Sequence, residues 1–554
     1  MLRWLTCVLI LAAGLVAQQK ATTLPLPTAP GFQISGIVVD AVSNSPVTGA
    51  RVAISPVNQR DKFTTVVTHE NGRFLFPGLS AGKYTLTAQH RGYVTQSFNQ
   101  HDQYASSIAV GPDLDSSNLI FAIVPEGAIS GTVTDENGDA VRGAQVMMFQ
   151  SSNDDGVVHT RLRSTTNTDD EGRYRFSHRQ QGKYYIAVFG TPWYAQRPRI
   201  RTTTTTYFSD RSTGPLNNTK TVIEEELPSS LDVAYPLTFY GGTTDSSAAS
   251  PILLGKGEKA SADITLQPVP AVTWRMSAPG QDQTRPAFAG LEQKLFDGTP
   301  FPLPIGSRPS LPGTWEVTGI PPGHYTASVF TEGNADQAEK QTIEATEDGA
   351  VEKAPVTVSP LSATLSFQQP ATAQGQITLR LRDTKTNQAF LERINGKGNI
   401  EFKAGIPRGT YEVSVFSASD IFIQRVQAAG ARMTGRSLEV KGPAPIKLSV
   451  VLGQGRAEVS GVALRNDKPV SGVMVVLVPA DPVNNRVLFR RDQSNSDGSF
   501  YMGYVVPGRY TMLAIADGWD LEWANPAVLA KFLPQGEPLT VESKGKYSVK
   551  VKVQ

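Results

Sequence analysis

The sequence predicts an all-β protein built as a tandem array of antiparallel β-sandwiches, and three observations carry that expectation. A Gly-Xaa-Tyr triplet closes a strand-like run five times: Gly82-Lys83-Tyr84, Gly182-Lys183-Tyr184, Gly323-His324-Tyr325, Gly409-Thr410-Tyr411 and Gly508-Arg509-Tyr510. In four of them a glycine lies ten residues upstream (Gly72, Gly172, Gly313, Gly498), and in the other Gly398 lies eleven upstream. Such a fixed internal spacing is the trace of one folding unit used repeatedly. Short β-branched and aromatic runs recur at roughly 8 to 12 residue spacing with little helical periodicity between them, the mark of sandwiches rather than helical domains. The composition, 40% hydrophobic with 49 Gly and 38 Pro in 554 residues, suits a turn-rich globular chain rather than a disordered one.

Read in order, the chain opens with a basic Arg3, an apolar run from Trp4 to Val16 and the small Ala17, which reads as an export leader over residues 1–17. The expected location is therefore secreted, periplasmic or cell-surface. The only cysteine, Cys7, lies inside that leader, so the mature chain is expected to hold no disulfide and no thiolate site. No later run of 18 apolar residues suggests a membrane-spanning helix. Five units follow, at 34–125, 126–269, 270–359, 360–453 and 456–554. They are expected to behave as separate beads on short linkers that melt independently.

Within a unit, Ile34-Ser35-Gly36-Ile37-Val38, Ile129-Ser130-Gly131-Thr132-Val133 and Val459-Ser460-Gly461-Val462-Ala463 read as opening strands. Pro46-Val47-Thr48-Gly49-Ala50-Arg51-Val52 and its counterparts at 140–146 and 469–475 turn into a buried strand. Asn71-Gly72, Glu171-Gly172 and Asp497-Gly498 read as two-residue hairpin turns, because these dipeptides accept positive φ. The Gly-Xaa-Tyr turn then directs an aromatic ring inward, its hydroxyl expected on a backbone group as in a tyrosine corner. Residues 195–230, with Thr202 to Thr206, read as a long loop or excursion, and residues 517–533 as a short helix capped by Asn525 with Pro526 at its first position.

Together the Ile-Ser-Gly-Xaa-Val opening, the Pro-Val-Xaa-Gly-Ala-Xaa-Val turn, the Asp/Asn-Gly-Xaa-Phe motif and the Pro-Gly-Xaa-Tyr turn resemble the carboxypeptidase regulatory-like domain. The first, second and fifth units carry most of these motifs. The third and fourth join through Pro322-Gly323-His324-Tyr325 and Arg408-Gly409-Thr410-Tyr411. Tyr235 to Asp245 resembles a segment that follows such domains in large secreted bacterial proteins. The resemblance implies a seven-stranded prealbumin-like (Ig-like) sandwich and a non-catalytic module grouped with carbohydrate-binding-like folds.

Catalytic chemistry finds little support. The six histidines offer no His-Xaa-Xaa-Glu pair and none lies within four residues of another, so they read as surface or loop residues rather than zinc ligands. Nucleophile-elbow, dinucleotide-binding and phosphate-loop motifs are absent. No catalytic residue, metal ligand or cofactor is expected. Asp135-Glu136-Asn137-Gly138-Asp139 starts like a calcium loop, but Ala140 and Val146 stand where Gly and Glu are needed, which favours an ordinary turn. Arg161/Arg163 and Arg173/Arg175 sit at period two, each pair on one strand face. With a net charge of only +2 and no stacking platform, nucleic acid is not an expected partner. The remaining candidate is a glycan platform: Trp519 and Trp523 flanked by Asp517, Asp520 and Glu522, since sugar rings stack on indoles while carboxylates take hydroxyl hydrogen bonds. The expected function is extracellular binding or adhesion toward a glycan or a cell-envelope protein, with a structural spacer or assembly component of the envelope as the alternative.

Overall fold

The structure is a computed structural model. It describes residues 31–197, 200–207, 218–225, 230–277, 287–296, 298–309, 314–331, 339–346, 351–355, 357–368, 376–395, 398–418 and 420–554, so the export leader lies outside the described residues. The strands form a tandem array of β-sandwiches, each a pair of facing sheets. In the first unit the opening strand Phe32–Asp40 lies between Arg73–Leu79 and Leu119–Ile123. The facing sheet runs Thr64–Val67, Arg51–Pro56, Gly82–Gln89. The second, fourth and fifth units repeat this plan around Gly127–Thr134, Val358–Phe367 and Ala457–Arg465.

Most pairings are antiparallel, but the closing strand runs parallel to the opening one: Ile37 faces Ile120, Ser130 faces Ser261, Ala363 faces Leu448 and Gly461 faces Val549. A closing strand with this direction leaves the sandwich at the end opposite to where the chain entered, which suits units joined in series. The same pairing explains the Ser-Gly signature. A Cβ would lie 2.2 Å from the Leu119 carbonyl oxygen at Gly36, 2.2 Å from that of Ala262 at Gly131 and 2.0 Å from that of Val549 at Gly461.

The expected hairpins at Asn71-Gly72, Glu171-Gly172 and Asp497-Gly498 are corrected. Gly72, Gly172 and Gly498 do take φ of 67°, 71° and 73°. The strands they join nevertheless belong to opposite sheets: Thr64–Val67 pairs with Arg51–Pro56, whereas Arg73–Leu79 pairs with Phe32–Asp40. The turn is an arch over the core. Its glycine carbonyl accepts from the opening strand, as in Val38 N–H to Gly72 O at 2.8 Å and Ala463 N–H to Gly498 O at 2.9 Å.

The turn tyrosines follow expectation in all five units. Tyr84, Tyr184, Tyr325, Tyr411 and Tyr510 each donate their hydroxyl to the carbonyl four residues upstream, at 3.0, 2.9, 2.8, 2.8 and 2.6 Å. Burial pushes the Tyr510 phenol up to about 12, and those of Tyr184, Tyr325 and Tyr411 also upward.

The excursion at 195–230 is a β-ribbon where it is described: Ile200–Tyr207 pairs antiparallel with Asn218–Glu225. β-branched threonines favour extended backbone, so the Thr run forms a strand rather than a loop.

The beads are not separate. Leu237 and Phe239 of the second unit share one apolar cluster with Trp274, Leu291 and Tyr325 of the third. The fifth unit packs on three others. Its turn 493–498 docks on the first unit, where Ser106 Oγ donates to Ser494 O at 2.9 Å, Ala109 N–H to Ser496 Oγ at 2.7 Å and Gln493 Nε2 to Asn99 O at 2.6 Å. On the second unit, Ala524 N–H donates to Gly156 O at 2.9 Å. On the fourth, Arg436 N–H donates to Asn484 O at 2.8 Å.

Candidate functional site

Pro526–Leu529 is a one-turn helix begun by the Asn525 side chain, which accepts from Ala527 N–H at 3.1 Å. Together with the 3₁₀ turn Gly518–Asp520 it lays a lid over the outer face of the strand Met474–Pro479. That lid decides the fate of the predicted glycan platform. Trp523 is buried against Met474, Val476, Phe489 and Leu529, so its ring is a packing element and not a sugar platform. Trp519 is half-buried. Its indole N–H donates to Gly472 O at 3.1 Å, and one face stacks on the His101 ring of the first unit, centroids 4.6 Å apart and planes within 5°. The two indoles and Tyr104 enclose the Arg491 guanidinium, whose carbon lies 4.8 to 5.4 Å from each ring centroid. Arg491 pairs with Asp102 at 3.0 Å.

The acids of the predicted set separate. Glu522 accepts from Val158 N–H at 3.0 Å and from the Asn525 amide at 2.8 Å, bonds that hold its carboxyl below the usual range. It joins the second unit to the fifth. Asp517 is exposed, in left-handed backbone at φ 51°. Asp520 is exposed too, and with Trp519 it reaches a cleft of about 1080 Å³ between the first, second and fifth units. The cleft is rich in side-chain amides, among them Gln96, Gln100, Gln150, Asn153, Gln180 and Gln181. Of its carboxylates, Asp102 is paired with Arg491, Asp154 with Arg163 at 2.9 Å, and Asp155 with Arg382 at 3.0 Å.

The arginines of the second unit find acids nearby. Arg161 pairs with Asp155, Arg163 with Asp154, Arg173 with Glu171 and Arg197 with Asp232. Asp155 belongs to a junction of three units. Its carboxylate meets Arg382 of the fourth unit and, at 3.7 Å, Arg486 of the fifth, while Glu412 takes Arg382 on the far side. One histidine departs from the expected surface or loop placement: His159 is buried beside Asp155 at 3.8 Å, while the loop residue His101 lies under Trp519. The Asp135 turn is closed by its own carboxylate, which accepts from Asn137 and Asp139 N–H at 2.9 Å each. Among the described residues no group of three or more His, Cys, Asp or Glu is placed to hold a metal. None of their helices is long and apolar enough to cross a membrane.

Sequence reasoning missed His101, Tyr104 and Arg491, because they meet only across a domain interface; Arg490-Arg491 carries no local pattern that separates one arginine from the other. It also missed Trp193, the exposed indole (86%) in the loop beside Tyr194.

Residues 33–113 and 128–207 each match the carboxypeptidase regulatory-like domain family. The first two sandwiches are carboxypeptidase regulatory-like domains. No curated protein matches the chain. Among solved structures, the Bacillus anthracis TIE protein overlaps 94% of this chain and 74% of its own at 10% identity and a TM-score of 0.17. A streptococcal ancillary pilin covers 54% of this chain and 90% of its own at 12% identity and a TM-score of 0.19. The minor pilin of Streptococcus agalactiae covers 43% and 97% at 12% identity and a TM-score of 0.20. Scores this low do not amount to a shared arrangement of domains.

Proposed function

We propose that this chain is a non-catalytic extracellular binding protein, and that its ligand is a neutral glycan held in the cleft between the first, second and fifth units. The observation that carries the reading is the lining of that cleft. Side-chain amides offer both donors and acceptors to hydroxyl groups, and the half-buried Trp519 offers an indole edge at the rim. Asp102, Asp154 and Asp155 are held in ion pairs, and Glu258 and Asp520 add acceptors for hydroxyl groups. An uncharged polyhydroxylated ligand fits this chemistry better than an ion. The export signature over residues 1–17 agrees with an extracellular site of action.

A glycan array on the chain lacking residues 1–17 tests the reading, followed by Gln100→Ala and Gln180→Ala in the cleft. Retention of a neutral saccharide that both substitutions weaken is the expected result. An array without any retained glycan would instead favour the second reading, a structural component of the envelope. That reading draws support from the Asp155–Arg382–Glu412–Arg486 junction, which clamps three units in one arrangement.

A further inference from the structure

A second cavity lies between the fourth and fifth units, with a volume of about 680 Å³, and its chemistry differs from that of the glycan cleft. Two cations line it, Arg436 and Lys544, and no Asp or Glu does. Arg436 lies in the two-residue turn between the strands Arg432–Thr434 and Ser437–Val440 of the fourth unit and is only 9% exposed. Its Nη2 donates to Ile423 O, and among the described residues no carboxylate pairs with it. The titratable groups beside it are the Tyr510 phenol, neutral at pH 7, and another cation, Arg490. Burial pulls the guanidinium down to about 10, so it is still cationic at neutral pH.

A desolvated guanidinium without a carboxylate is an unusual arrangement, because a buried charge is costly unless an opposite charge and hydrogen bonds satisfy it. Three arginines at the domain junctions, Arg382, Arg486 and Arg491, each meet a carboxylate within 4 Å, whereas Arg490, beside Arg436, donates to the carbonyls of Val487, Phe489 and Tyr504. Arg436 differs from the first three in meeting no carboxylate among the described residues, and from Arg490 in lining this cavity. The remaining walls supply what an organic anion would need. The amides of Gln424 and Gln454 offer hydrogen bonds beside the charge, and Phe422, Leu452 and Pro507 form an apolar side. The planar fork of arginine matches a carboxylate bidentately, whereas a lysine acts as a point charge. Lys544 sits at the mouth, exposed and in left-handed backbone at φ 58°.

We infer that the cavity between the fourth and fifth units is a binding site for a small organic carboxylate, with Arg436 as its fork and Lys544 as the steering cation. The site is separate from the proposed glycan cleft and stands or falls without it. The carboxylate could belong to an acidic sugar or to an amino-acid derivative; both present the same group to Arg436.

The test is isothermal titration and thermal denaturation of the chain lacking residues 1–17 with sodium glucuronate, N-acetylglycine, glucose and sodium phosphate at matched ionic strength. Saturable binding and a rising melting temperature are expected with at least one of the two carboxylates, and neither with glucose. A preference for glucuronate assigns the site to an acidic sugar, and a preference for N-acetylglycine to an amino-acid carboxylate. Arg436→Gln should weaken carboxylate binding by about tenfold or more, since it removes the charge-assisted pair. Should that variant fold poorly, Lys544→Asn keeps a residue that tolerates left-handed backbone and should weaken binding by about threefold through the exposed charge. Binding of neither carboxylate, equal binding of phosphate, or carboxylate affinities unchanged in Lys544→Asn and in a folded Arg436→Gln would overturn the assignment.

Discussion

The turn tyrosine shows how much one residue can carry. Its ring fills the space between two sheets, and its hydroxyl satisfies the carbonyl four residues upstream, so the chain can leave one sheet and enter the other without an orphaned acceptor. Tyr411→Phe should remove only that hydrogen bond and cost about 1 kcal/mol, measured by denaturant unfolding. At alkaline pH the sign follows from burial. The folded-state phenol of Tyr510 lies above its unfolded value of about 10. Its contribution is therefore complete below pH 10 and lost as pH rises toward about 12. Four residues before each turn glycine the backbone takes positive φ: Gly78, His178, Gly319, Gly405 and Tyr504. Three are glycine, but Tyr504 is a bulky residue at φ 58°, with an exposed ring under Arg456. Tyr504→Gly should relieve about 1–2 kcal/mol of left-handed strain and forfeit about 0.5–1 kcal/mol of cation–π attraction. The fifth unit should become slightly more stable; a clear loss of stability would show that the ring has a packing role.

At the scale of elements, the lid 517–533 is where sequence and structure diverge most. Its helix start was legible, because Asn525 and Pro526 act through local backbone chemistry. The role of its indoles was not, because two tryptophans four residues apart fit a packed surface and an open platform equally well. The strand Met474–Pro479 is apolar on both faces, and only the folded chain shows that its second face is covered by this lid. Trp523→Ala should cost about 3–5 kcal/mol, as for a buried large aromatic, and lower the melting of the fifth unit. Retained stability with a lost ligand would restore the platform reading. The lid also carries a pH response. Glu522 is held below its unfolded pKa by Val158 N–H and Asn525, so its contribution is present above the ordinary carboxylate range and lost as pH falls through the folded value. The protection factor of the Val158 amide, taken against the intrinsic exchange rate at each pH, should fall on acidification in the native chain and already be low at neutral pH in Glu522→Gln.

Across the whole molecule, the fifth unit acts as a hub for the first, second and fourth. The independent melting expected from a string of beads is therefore revised. Tyr84→Ala should destabilise the first unit by roughly 3 kcal/mol and also loosen the 493–498 turn that docks on it, read as faster amide exchange at Ser496. Unchanged exchange there would restore the independent units. The junction of Asp155, Arg382, Glu412 and Arg486 should matter more than any exposed pair. Arg382→Ala leaves Glu412 short of its main partner, takes one of two close arginines from Asp155 and should cost about 3–5 kcal/mol. Calorimetry should then resolve separate transitions for the second and fourth units.

The sequence by itself determined what depends on local chemistry: the repeat, the all-β class, the tyrosine turns, the glycines and the capped helix start. These are set by φ/ψ preference, strand alternation and hydrogen bonds that span a few residues. Even the arches were half-legible, since Asn-Gly requires the same positive φ whether the strands beside it pair or face each other across a core. Only the tertiary structure decided which units touch, which arginines find carboxylates and which indoles are covered. Those outcomes rest on contacts between residues hundreds of positions apart, such as His101 with Trp519 and Asp155 with Arg382. No period or motif in the chain records such contacts, because each partner is an ordinary loop or strand residue until the sandwiches pack.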